Sequence, residues 1–200
     1  MDAGSVDAPA YDDIATHADL IAWSRGYCRD VRREWAVDVR FDLVEWEVST
    51  RAKRRAAAVK RPRIPAASVG DRIDWDEAVT ADGQRADGRP LPCTVSLTWD
   101  AFAAFDRPAW ESTLRHELIH VEQYQFSGTT GHGPAFRRRA ERLDTSVHCE
   151  TFADPEYTLC CDDCGSVVAH RYRECKLVRR RDEYRSECCG ASLRLAADGH

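Results

Sequence analysis

Residues 115–136 read RHELIHVEQYQFSGTTGHGPAF. His116 and His120 stand four positions apart, so in a helix their imidazoles leave the same face, one turn from each other. Glu117 sits one step around, beside that face and not on it. Downstream, Gly128, Gly131 and Gly133 let the chain reverse and bring back a third imidazole, His132, before Pro134 opens another helix. H-E-x-x-H on a helix is a zinc pattern: two imidazoles hold the ion, and the flanking carboxylate takes a proton from water beside it. The chain has only 7 histidines in 200 residues, and three of them fall between 116 and 132, which makes coincidence a poor account. A catalytic zinc takes three protein ligands and keeps one position for water. His132 is the expected third ligand, with Glu141 on the following helix as the alternative. The metzincin variant requires glycine at 123 and histidine at 126, where this chain has Gln123 and Phe126, so that class is excluded.

The flanks support a buried helix. Asp106 and Pro108 form a cap followed by proline in the first turn; Trp110, Leu114, Leu118 and Val121 form an apolar stripe, and Gly128 marks the end. Upstream, CTVSLTW places Val95, Leu97 and Trp99 on one face of a short strand, whose edge would suit an extended substrate. Residues 16–35 carry apolar side chains at helical spacing, with Thr16 or Asp19 as N-cap. Val39 to Val48 alternate, with one slip, like a strand or a bent pair of strands. Residues 66–92 are rich in Asp, Gly and Pro and read as loop. Phe136, Ala140 and Leu143 belong to a last helix starting near Pro134.

A hydrophobic content of 43% with six tryptophans implies a globular body, and no apolar run approaches the length needed to span a bilayer. The first residues, MDAGSVDAPAYDD, lack the basic flank and apolar stretch of a signal peptide, so the expected location is the cytoplasm. There the nine cysteines point to metal more than to disulfides, and five of them, Cys160, Cys161, Cys164, Cys188 and Cys189, cluster late in the chain. Cys28, Cys93 and Cys149 read as ordinary small residues of core or surface. Residues 1–15 read as an acidic, solvated tail. Against the net charge of −5, residues 51–63 hold seven basic and no acidic groups, and residues 171–185 hold seven basic against three acidic. Two such runs in an acidic chain suggest a polyanion partner.

On His116, Glu117, His120, His132, Gly133 and Phe136, and on the loop length between the second and third histidines, the segment resembles the active site of the SprT-like zinc metallopeptidases. The resemblance extends more weakly over residues 17–200. It implies an α+β fold, a compact zincin-like domain of helices packed on a small sheet over residues 16–153. It also implies zinc ligands His116, His120 and His132, catalytic Glu117, and protein substrates on DNA, DNA–protein crosslinks among them. Family members often end in a zinc ribbon, and residues 154–200 are expected to form a small β domain of that type.

YTLCCDDCG resembles the ribbon's first half, with Cys161-x-x-Cys164-Gly165 as a knuckle that turns two thiolates towards one ion. The second half departs: position 186 is serine, and Cys188 sits beside Cys189. Cys161, Cys164 and Cys189 are the expected ligands. The fourth is open between Cys188, Cys175, Cys160 and His170. One catalytic and one structural zinc are therefore expected. The competing functional reading is a non-catalytic, DNA-binding ribbon or adaptor protein. The intact Glu117 speaks against it, because a structural site has no use for a base.

Overall fold

The computed structural model describes residues 8–149 and 151–196, and the chain divides into two compact units at Phe152 and Ala153. In the first unit the histidine helix, α3 (Arg107–Ser127), runs through the core. Asp106 caps it by accepting from the Ala109 backbone N–H, and Gly128 ends it in the left-handed region at φ 69°. Trp110, Leu114, Leu118, Ile119, Val121 and Tyr124 are buried along it. Truncating Trp110 to alanine would cost about 3–5 kcal/mol. Against α3 pack α1 (His17–Trp35), α4 (Pro134–Arg142) and a three-stranded sheet. Thr16 caps α1 in a reciprocal box with Asp19, so the two candidate caps share the task.

The sheet has β1 (Val44–Ser49), β2 (Ala57–Lys60) and β3 (Cys93–Thr98) in the order β1-β3-β2. β3 runs parallel to β1, from Val44 opposite Cys93, and antiparallel to β2. Being central, β3 buries Ser96 and Thr98 as well as Val95 and Leu97. The expectation that β3 offers a free edge is therefore corrected: both its sides are paired, and the strand with an open side near α3 is β2. Trp99 is also not strand but the first residue of a short helix, α2 (Trp99–Ala104).

Further differences have local causes. The alternating stretch after Val39 becomes a 3₁₀ turn at Phe41–Leu43 before β1 begins. Side chains of α3 take the backbone groups that a ladder would have used: Asp38 N–H donates to Glu122, Arg40 N–H to Gln125 Oε1, and Gln125 Nε2 donates to the Arg40 carbonyl. β2 lies inside the first basic run, where no strand was expected. The acidic tail reading of residues 1–15 does not hold from Tyr11 onward. That ring packs edge-on against Trp23 and Phe102, at 4.9 and 5.5 Å between centroids, while residues 1–7 lie outside the described part.

In the second unit, β4 (Tyr157–Cys161), β5 (Val167–Arg171) and β6 (Leu193–Leu195) form an antiparallel sheet in the order β5-β4-β6, with one helical turn, α5 (Lys176–Arg179). Its core is small: Leu159, Val178 and Leu193. Among the described residues no helix is long and apolar enough to cross a membrane.

Candidate metal centre

Helical spacing brings His116 and His120 together on α3, and the loop after Gly128 returns His132 to them. Gly128 suits its φ of 69°, and a Cβ there would also meet Ile73 Cδ1 at 2.6 Å, so that side chain would have to shift. The three Nε2 atoms converge. His120 Nε2 lies 3.2 Å from His116 Nε2 and 2.9 Å from His132 Nε2. Three nitrogens each ~2.05 Å from a tetrahedral zinc would stand ~3.3 Å apart, close to what is found.

Proton bookkeeping makes the case for a cation stronger. His116 Nδ1 is 2.9 Å from the Ser146 carbonyl, which only accepts, so Nδ1 carries the proton. His120 Nδ1 is 3.1 Å from Gln123 Oε1. The Gln123 amide is oriented by Gly131, whose carbonyl accepts from Nε2 at 2.9 Å and whose N–H donates to Oε1 at 3.3 Å. His120 Nδ1 therefore also carries its proton. Two bare Nε2 lone pairs then face each other at 3.2 Å, an arrangement a bound cation relieves. Burial lowers the pKa of all three imidazoles, His120 to about 4 with His116 as the next cause, so they stay neutral and able to ligate. Glu141, the alternative ligand, is exposed on α4 and stands outside this group.

Glu117 is buried next to the trio, and its Oε2 has no hydrogen-bond partner. Burial pushes the carboxyl up to about 7, and the Val59 backbone N–H of β2 and the Arg55 guanidinium hold it from going further. Cys149 departs from its reading as an ordinary residue. Its sulfur lies within 4.8 Å of both Glu117 and His116, and burial, then the Glu117 charge, pushes the thiol up to about 12. Three partners escaped the sequence reading. Gln123 was weighed only as a departure from the metzincin glycine, while Ser146 and Val59 act through backbone atoms, which residue identity does not reveal.

The second unit gathers Cys161, Cys164, Cys188 and Cys189, with all four sulfurs within 4.8 Å. Two knuckles of matching shape build the cluster. Cys161 N–H bonds Ser166 O and Gly165 N–H bonds Cys161 O; Ser186 N–H bonds Ala191 O and Gly190 N–H bonds Ser186 O. Gly165 and Gly190 both take positive φ. Ser186 thus occupies the place of Cys161, buried, with its hydroxyl 3.2 Å from the Cys161 sulfur. The displaced Cys188 completes the four, 3.5 Å from Cys164 Sγ. Cys160, Cys175 and His170 are not in the group. Hydrogen bonds from Ser166 bring Cys164 down to about 6, while its neighbour Cys164 is the first cause of Cys189 rising to about 12. One thiolate opposes the next unless a cation joins them, and the donor set of four sulfurs suits zinc.

No curated protein and no solved structure matches the chain significantly. The SprT-like family model matches residues 31–158, from within α1 to the start of β4, and stops before Cys161. That span is well over half of the sequence and contains the whole histidine centre with its carboxylate, and the chain accordingly belongs to the SprT-like family, a family of metallopeptidase type.

Proposed function

We propose that the protein is a zinc-dependent endopeptidase with Glu117 as general base, acting on proteins associated with or crosslinked to DNA in a reducing compartment such as the cytoplasm. His116, His120 and His132 would hold the ion. Bound there, zinc would supply Lewis acidity that polarises the scissile carbonyl and makes water near it more acidic. The observation that carries the reading is Glu117: buried beside the imidazoles, outside their converging set, with one carboxylate oxygen uncommitted. A group placed there can accept a proton from attacking water and return it to the departing amine. Without an ion, burial raises its pKa to about 7, above that of an exposed carboxylate. β2 runs past Glu117 with its outer side unpaired, so an extended substrate can add to it as a strand.

The DNA part rests on the family resemblance and on arginine. Several basic groups have partners: Lys53 pairs with Asp100, Lys60 with Glu47, Arg179 with Glu174 and Arg180 with Glu183. These pairs are mostly half-exposed, are worth little, and exchange readily for phosphate. The test of the enzyme is Glu117→Gln with zinc content measured alongside. Cleavage should fall by a factor of about 10²–10⁴ while metal and fold persist. Near-normal cleavage by that variant would remove the mechanism.

A further inference from the structure

We propose that His148 is a further catalytic residue, donating a hydrogen bond to the carbonyl oxygen of the scissile bond as that oxygen gains negative charge. The inference rests on the hydrolytic reading of the centre.

The segment from Thr145 to Cys149 is a strap laid along the site. Its start is pinned: Thr145 N–H bonds the Ala140 carbonyl, and the Thr145 hydroxyl bonds the Ser112 carbonyl at 2.6 Å. Ser146 then fixes the His116 ring through its carbonyl, and Cys149 sits against Glu117 and His116. His148 lies between these two contacts. Its ring is 6.0 Å from that of His132 and nearly perpendicular to it, at 84°. The three converging rings are 4.8–5.0 Å apart. His148 is therefore one step outside the ligand set. The side chain is exposed, and among the described residues its ring nitrogens make no hydrogen bond. An exposed imidazole beside the His132 ring, outside the ligand set and without a hydrogen bond of its own, is free to bond what enters.

The chemistry has a place for such a donor. Glu117 takes a proton from water as the new C–O bond forms, and the carbonyl π pair moves onto oxygen. When that pair returns, the C–N bond breaks and Glu117 gives the proton to the amine. Peptide and water become acid and amine, and His148 gives no net proton. Its hydrogen bond strengthens only while the oxygen carries charge, which is the condition for accelerating the step.

The test compares wild type, His148→Ala and His148→Gln as zinc-loaded full chains. Readouts are metal content, kcat and KM on a denatured protein, and affinity for two peptide ligands. One is a phosphonamidate, whose tetrahedral oxygens resemble the charged species; the other is a thiol peptide, which can ligate but offers no such oxygen. For His148→Ala, kcat and phosphonamidate affinity should each fall by a factor of about 10²–10³, with KM, thiol-peptide affinity and zinc unchanged. His148→Gln should recover part of the loss through its amide N–H. Unchanged kcat and phosphonamidate affinity in the alanine variant, equal loss of both peptide ligands, or loss of zinc would each overturn the assignment. The peptide affinities report on His148 even if the wild type cleaves nothing, an outcome that would overturn the hydrolytic reading instead.

Discussion

Gln123 shows how much a single side chain can hold at this centre. Its amide orients His120 through Nδ1 and, with its other end, clasps Gly131 in the loop that delivers His132. It touches two of the three ligands' supports without being a ligand. Gln123→Leu should therefore keep the fold, since the helix loses no core residue, but weaken zinc binding by a factor of about 10–100. Competition with a chelator of known affinity measures this, and an unchanged affinity would show that packing alone positions the imidazoles. His116, Glu117, His120 and His132 were legible because helical period and glycine chemistry are written in side-chain identity. Gln123 was not, because nothing in the sequence says which side chain will reach back across a loop.

At the scale of elements, the sheet is stitched by one carboxylate. Glu47 of β1 accepts from Ser96 of β3 at 2.8 Å and pairs with Lys60 of β2, so it spans all three strands. Lys60 first, then Ser96, holds its pKa below the ordinary carboxylate value. A depressed acid contributes stability above its unfolded pKa and loses it as pH falls through the folded one. Glu47→Gln should therefore lower the melting temperature slightly at neutral pH, by about 0.5 kcal/mol equivalent, and not in acid below the carboxylate range. Melting curves across pH check it; a difference that persists in acid would assign the effect to packing. The same sheet shows what sequence period can and cannot reveal. β3 was legible from its alternation and α3 from its cap and stripe. β2 was not, because Ala57 and Ala58 inside a basic run show neither alternation nor bulk, and only pairing with β3 makes them a strand.

For the whole molecule, the proposal of one ion in each of the two donor sets predicts that the two can be removed separately. Changing Cys161 and Cys164 together to serine should reduce bound zinc from two equivalents to one. It should also expose the second unit to proteolysis, since Leu159, Val178 and Leu193 are too small a core to fold it alone. Cleavage by the first unit should survive. Metal analysis giving one zinc in the unmodified chain would remove the structural site. A DNA titration at several salt concentrations addresses the partner. Affinity should fall steeply as salt rises, and Arg179, Arg180 and Arg181 changed to alanine should flatten that slope without loss of metal. No binding at low salt would leave a zinc peptidase without a nucleic-acid partner.

The three imidazoles come from positions 116 to 132, a short span, whereas Val59 and Arg55, which set the surroundings of Glu117, lie about sixty positions upstream. Closing a loop of that smaller size takes well under a microsecond, while joining β2 to α3 must wait for long-range pairing. In refolding, then, capture of zinc should precede recovery of turnover, and the two clocks can be read separately with a metal-sensitive dye and a cleavage assay. Ion first, working base later: a newly made chain would hold its metal before it could cut anything.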